Sequence, residues 1–302
     1  MNTVGQAAES EASVRRVAAV TVAGVRTRVI ECAGAGPTVL LLHGFTDSAD
    51  GWRAVMEPLA AAGHRVVALD LPYFVRAERP TPVAFLPAID EFVAAASRQY
   101  DSGEGVVLVG NSVAGLTALR AAQQPGLPLA GVVAIGPAGL CTPWWMKLLS
   151  RIRPLTDRLL RLPIPPVMRG TGPALISAGF AAAVAPGRLD ARARAQYASH
   201  WGPGDLRRQL VLGTQTITEL TGPDVLGPAS FVAPVTLVWG TRDWICPPRV
   251  ARATAHDRDV AVQLIPGAGH CPQYDQPRVV ADIIATARRH ARAPSTNQEW
   301  SS

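Results

Sequence analysis

A series of short, uninterrupted apolar runs constrains this chain more than any other feature. Thr38-Val-Leu-Leu-Leu-His43 lacks the alternation of a half-exposed strand. A strand with that pattern is buried on both faces, as happens when helices cover both sides of a parallel sheet. Residues 65–69, 106–109, 132–135 and 235–239 carry the same signature, and 260–265 carries a weaker one. Residues 16–22 and 25–31 read as two more strands around a turn at Ala23-Gly24. Helical patterns separate the runs. Residues 50–62 place Trp52, Val55, Met56 and Leu59 at helical spacing and stop at Gly63; 81–96, 113–124, 247–255 and 276–291 also fit helices. The alternation predicts an α/β fold with a mostly parallel central sheet of about eight strands flanked by helices.

The alternation stops after Ile135 and resumes at Pro234. Residues 137–231 contain no convincing strand and read as an inserted helical cap, between core segments 16–136 and 232–292. Residues 1–15 read as a disordered leader and 293–302 as a flexible tail. Charge separates the same segment. Between Pro137 and Phe231 lie 11 basic and 5 acidic residues, which leaves 18 of each elsewhere, so the whole net charge of +6 belongs to the cap. No Lys/Arg run exceeds two residues, which argues against nucleic acid as a partner. Within 144–162, Lys147, Arg151, Arg153, Arg158 and Arg161 face one acid, Asp157, on an amphipathic pattern that Pro154 should kink or divide. Such a helix suits a solvated lid, an anionic lipid-like substrate or peripheral contact with an anionic membrane, and all three stay open. The polar N-terminus lacks the apolar core of a signal peptide, so a cytoplasmic protein is expected. Oligomeric state has no signature.

Val106-Val-Leu-Val-Gly110-Asn111-Ser112-Val113-Ala114-Gly115 runs from a buried strand through a serine flanked by small residues into a helix. A nucleophilic serine on a strained turn needs that arrangement, because strand and helix must approach closely around it. Serine also needs a base, and the base needs an orienting group. Asp243 follows the strand at 235–239, and His270 follows the last strand. Both fall at carboxyl ends of strands, where open α/β sheets build their sites. Acyl transfer further needs two N–H donors aimed at the developing oxyanion. The amide of Val113 is one candidate; the amide of Phe45, in His43-Gly44-Phe45-Thr46 after a buried strand, is the other. His43, Gly44 and Asn111 near the serine, and Trp144 and Trp145 at the start of the cap, are candidates to border the substrate. No cofactor or metal motif accompanies these residues.

Together, His43-Gly44-Phe45, Leu69-Asp70-Leu71-Pro72, Gly110-Asn111-Ser112-Val113-Ala114, Gly240-Thr241-Arg242-Asp243 and Gly269-His270 make the chain resemble the α/β-hydrolase superfamily. The resemblance covers 16–136 and 232–292. It implies Ser112 as nucleophile, His270 as base, Asp243 as the triad acid, and Phe45 and Val113 as oxyanion donors. Members with an aspartate nucleophile, such as epoxide hydrolases, differ at Ser112. Aromatic Tyr73 and Phe74, where many relatives have a glycine-rich turn, are expected to line or cover the pocket. The expected activity is hydrolysis of a small-to-medium, mostly apolar carboxylic ester through an acyl-enzyme. Carbon–carbon bond hydrolysis, thioester hydrolysis, acyl transfer and slow-turnover ligand binding stay open as alternatives.

Overall fold

The computed structural model describes residues 15–287, except 75–76, 79–83, 141, 160–161, 163–165, 185–188, 190, 202–204, 223–224, 252–253 and 255–259. Nearly all of the expected leader, and all of the tail, lie outside the described residues, as does part of the helix expected at 247–255. Eight strands form, β1 (Arg16–Val22), β2 (Val25–Cys32), β3 (Gly36–Leu42), β4 (His64–Leu69), β5 (Val106–Asn111), β6 (Leu129–Ile135), β7 (Val235–Gly240) and β8 (Ala261–Ile265). They make one sheet in the order β1-β2-β4-β3-β5-β6-β7-β8. β1 and β2 are an antiparallel hairpin, β2 runs antiparallel to β4, and every later pairing is parallel. The hairpin turn places Ala23 and Gly24 at φ 48° and 75°, the left-handed pair that a two-residue turn requires.

The apolar runs are explained by two cores, one on each face of the sheet. Leu40 and Leu42 point into one and Val39 and Leu41 into the other. β6 alternates in the same way, with Val132 and Ala134 on the first face and Val133 and Ile135 on the second. Helices α2 (Phe85–Gln99) and α3 (Val113–Ala122) cover the first face. α1 (Arg53–Ala61) covers the second together with the helix Pro277–Thr286. β8 is an edge strand with one neighbour, so its residues are only partly buried and its sequence signature is weak.

Among the described residues, five helices fill the interval between β6 and β7. They are α4 (Trp144–Arg151), α5 (Arg153–Leu159), α6 (Pro166–Ala183), α7 (Ala191–Ala198) and α8 (Asp205–Leu220). The division expected near Pro154 occurs at Ile152, a turn residue between α4 and α5. Several polar contacts tie this segment to the sheet layer. Glu219 of α8 accepts the Phe85 and Leu86 amides (2.9 and 2.7 Å) at the start of α2, a helix end with no side-chain cap of its own. His200 Nε2 meets Asp50 Oδ2 at 2.9 Å, and Asp50 is held in turn by Arg28 at 2.7 Å. A single-turn α9 (Pro272–Asp275) and α10 (Pro277–Thr286) close the chain's described part. No helix among the described residues is long and apolar enough to cross a membrane.

Candidate functional site

Ser112 sits between β5 and α3 with φ 55° and ψ −114°, a conformation that side-chain-bearing residues rarely adopt. The turn is possible because its neighbours lack bulk. A Cβ on Gly110 would stand 2.1 Å from the Ala114 carbonyl oxygen, and one on Gly44 would stand 3.2 Å from Ser112 Cβ. The loop after β3 therefore lies directly against the serine. It is strained itself, since the β-branched Thr46 has φ 61°. Phe45 and Val113 border the same cavity as Ser112, and among the described residues no hydrogen bond takes either amide N–H. Val113 is the first residue of α3, where amides have no partner within the helix.

β7 and β8 deliver the other two residues. His270 Nδ1 lies 2.8 Å from Asp243 Oδ2, and both side chains are buried. Asp243 Oδ1 accepts the amides of Ile245 and Cys246 at 2.9 and 2.8 Å, so the carboxylate cannot swing away. With Nδ1 as donor, the tautomer leaves His270 Nε2 able to accept a proton. His270 and Ser112 line one cavity of about 660 Å³. Gly136, just after β6, permits this approach: a Cβ there would stand 3.0 Å from Asp243 Oδ2 and 3.3 Å from His270 Nδ1. Sequence reasoning missed Gly136, although a glycine ending a buried strand was a visible signal.

The remaining expected residues separate. Gly44, Asn111 and Trp145 border the cavity. The Asn111 side chain is committed elsewhere: Nδ2 donates to the carbonyls of Ile135 (3.2 Å) and His270 (3.1 Å), and Oδ1 accepts from Gln273 Nε2 (3.3 Å). It ties the loop carrying His270 to the serine turn, so it positions rather than recognises. Trp144 corrects the expectation, being 76% exposed on the opposite side of α4 from the cavity. His43 is a second correction. It is fully buried behind the wall, Leu71 N–H donates to its Nε2 (2.9 Å), and its Nδ1 therefore donates to the Gly44 carbonyl (2.8 Å). Burial holds it down at about 4, so the ring stays neutral and fixes the loop. Tyr73 and Phe74 also lie off the cavity; Phe74 is buried edge-on against His43 and Phe45.

Asp47 is a residue that the sequence did not single out. It borders the cavity and is buried, its Oδ1 accepting from Tyr274 Oη (2.7 Å) and Ser48 N–H (2.8 Å) while Oδ2 has no partner. Burial pushes the carboxyl up to about 7. The folded form thus holds a proton that the unfolded chain releases near pH 4, and the contribution of Asp47 to stability falls as pH rises from about 4 to 7. Asp47→Asn should remove that contribution, a difference on the order of 4 kcal/mol across the window. Chemical denaturation of both proteins at several pH values measures it; His43, which destabilises toward acid, contributes equally to both and cancels. Among the described residues no group of three or more His, Cys, Asp or Glu side chains is placed to hold a metal ion.

A family model described as the alpha/beta hydrolase family matches residues 39–283. A human protein with a provisional protein-lysine deacylase name, ABHD14B, is 36% identical over 110 residues, covering 35% of this chain and 50% of that protein. The chain thus spans about half the length of this curated relative. Uncharacterized protein Rv2715 of Mycobacterium tuberculosis is 25% identical over 283 residues, covering 87% of this chain and 78% of that one. Among solved structures, an esterase from Thermogutta terrifontis superposes with a TM-score of 0.69 at 22% identity, over 92% of this chain and 100% of that chain, a likeness of fold.

Proposed function

Because this chain belongs to the alpha/beta hydrolase family, we propose that it is a serine hydrolase of uncharged, mostly apolar carboxylic esters of small to medium size. The observation that carries the reading is the placement of Ser112, on a strained turn at the wall of the same cavity as the Asp243-oriented His270. Ser112 Oγ attacks the carbonyl carbon as His270 Nε2 takes its proton. The Phe45 and Val113 amides receive the charge that develops on the carbonyl oxygen. Collapse expels the alcohol, which leaves with the proton from His270, and an acyl-Ser112 remains. Water then attacks, again giving its proton to His270, and the acid is released with Ser112 restored.

Cavity chemistry supports the choice of acyl group. Among the described residues its lining contains no lysine or arginine, and the one acid is Asp47. Leu149, Ile176, Phe180, Ile217 and Leu220 dominate the wall instead. Among the described lining residues no cation would pair with a carboxylate at the far end of the acyl chain. A p-nitrophenyl ester with a terminal carboxylate should therefore show kcat/KM at least about tenfold below the uncharged ester of equal length, the deficit expected when a charge is desolvated without a partner.

A fluorophosphonate probe with a panel of p-nitrophenyl esters tests the reading. Labelling of Ser112 with fast turnover supports it. Labelling without turnover points to an acceptor other than water or to a slow-turnover binder, and absence of labelling overturns the mechanism.

A further inference from the structure

Nine of the thirteen large apolar side chains exposed among the described residues lie between Trp144 and Val211. Six of them, Trp144, Leu148, Ile152, Leu155, Leu159 and Leu162, recur at intervals of four, four, three, four and three residues. At 100° per residue Trp144 and Leu148 lie 40° apart on α4 and Leu155 and Leu159 lie 40° apart on α5, so each helix presents an apolar edge to solvent, with Ile152 exposed at the turn between them. Lys147 and Arg151 lie beside the apolar pair of α4 and Arg158 beside that of α5, and all three are exposed. Trp145, Met146, Leu149 and Thr156 of the same two helices turn the other way and line the cavity. These helices are therefore apolar on both sides, which a lid facing water on one side does not need.

The cavity also opens here. Leu159 of α5, Leu175 of α6 and Leu210 of α8 line it and yet are about half exposed, so they stand at its rim. α8 packs against α4, α5 and α6, which brings the rim and the apolar edge onto one surface.

We propose that this surface docks on an anionic phospholipid bilayer, with Trp144 and the leucines entering the interface and Lys147, Arg151 and Arg158 meeting the lipid phosphates. The charge row selects this occupant. A second copy of the chain docked symmetrically on the same face would bring two basic rows together, whereas an anionic surface neutralises them. The cavity mouth then faces the lipid, and an apolar molecule dissolved in the membrane reaches the cavity without crossing water. Docking needs no turnover, so its test is separate from that of the hydrolase reading.

The full chain is sedimented with sucrose-loaded vesicles of phosphatidylcholine alone and of phosphatidylcholine mixed with phosphatidylglycerol. Binding is expected to the mixed vesicles, much weaker binding to the neutral ones, and a steep loss with added salt. The triple variant Lys147→Gln/Arg151→Gln/Arg158→Gln should bind the mixed vesicles on the order of 100-fold more weakly, from about tenfold or less per surface charge. Trp144→Ser/Leu148→Ser should lose about tenfold or more on them. Brominated lipid should quench the wild-type fluorescence more than that of Trp144→Phe. These side chains are exposed, so melting temperatures should match the wild type, and the salt dependence needs no variant at all. The proposal is overturned by wild-type protein that stays in the supernatant with mixed vesicles, by variants that bind as well as wild type, or by a concentration-dependent dimer that Trp144→Ser dissolves, which would make the face a contact between copies.

Discussion

Replacing Ser112 by alanine lowers kcat/KM for a p-nitrophenyl ester by at least about 10⁴-fold, and the protein stays folded. The side-chain hydroxyl makes no cap bond to α3, so its loss removes no structural hydrogen bond from that helix end. His270→Ala falls by a similar factor, because a serine without its base is a poor nucleophile. The double variant is no slower than either single one, since the two act in the same proton transfer and neither works without the other. Defects that multiply instead would place the two residues in separate steps and end the proposed mechanism. Asp243→Asn belongs to the same series. Its carboxylate takes the Ile245 and Cys246 amides on one oxygen and the His270 ring on the other, so an amide there must either turn an NH₂ toward His270 Nδ1 or give up the two backbone bonds. In the first case the ring proton moves to Nε2, which then cannot accept the proton of Ser112, for a loss on the order of 10⁴-fold. Steady-state kinetics on the four variants, with circular dichroism to confirm the fold, settles each point.

Gly110→Ala produces the second large effect, and it acts through backbone rather than chemistry. The added Cβ would lie 2.1 Å from the Ala114 carbonyl oxygen and 2.7 Å from the Gly115 nitrogen, atoms of the first turn of α3 that cannot rotate aside. Either β5 or α3 must shift, and Ser112 stands between them. We expect at least about 3 kcal/mol of destabilisation, the upper range for forcing atoms into a packed site. A further loss of about 100-fold or more in kcat/KM should follow from displacing the serine by a fraction of an ångström. Gly126→Ala calibrates the result. Gly126 has φ 81° but open space around the position of a Cβ, so only backbone strain opposes the change, at about 1 kcal/mol. If thermal melting shows equal losses for the two variants, the close approach of strand and helix at Gly110 is not what holds the serine turn.

Much of this molecule was legible from local sequence. Ser112 and Asp243 follow apolar runs that read as strands covered on both faces, and His270 follows the weaker run of β8, so all three emerge at the carboxyl ends of strands. Even the weak signal at 260–265 has a local cause, because β8 has one neighbouring strand and needs less apolar surface. Trp144 and Trp145 mark where that legibility ends. They are adjacent on one helix turn and point about 100° apart, and only the packing of α4 on α8 decides that Trp145 meets the cavity and Trp144 the solvent.

His43 shows the same division. Its sequence context announces a loop beside the serine, but its role depends on the amide of Leu71, 28 residues away, which arrives only when β3 and β4 pair. Asp47 reads as an ordinary polar loop residue; Tyr274, 227 positions along the chain, turns it into a buried carboxyl. The order of strands and helices and the residues at the strand ends were determined by the sequence alone, because apolar periodicity and steric limits on a turn act between near neighbours. Which side chains share the cavity, which carboxyl is buried and which apolar edge is left in solvent were decided by tertiary structure, because burial depends on distant segments that no local pattern encodes.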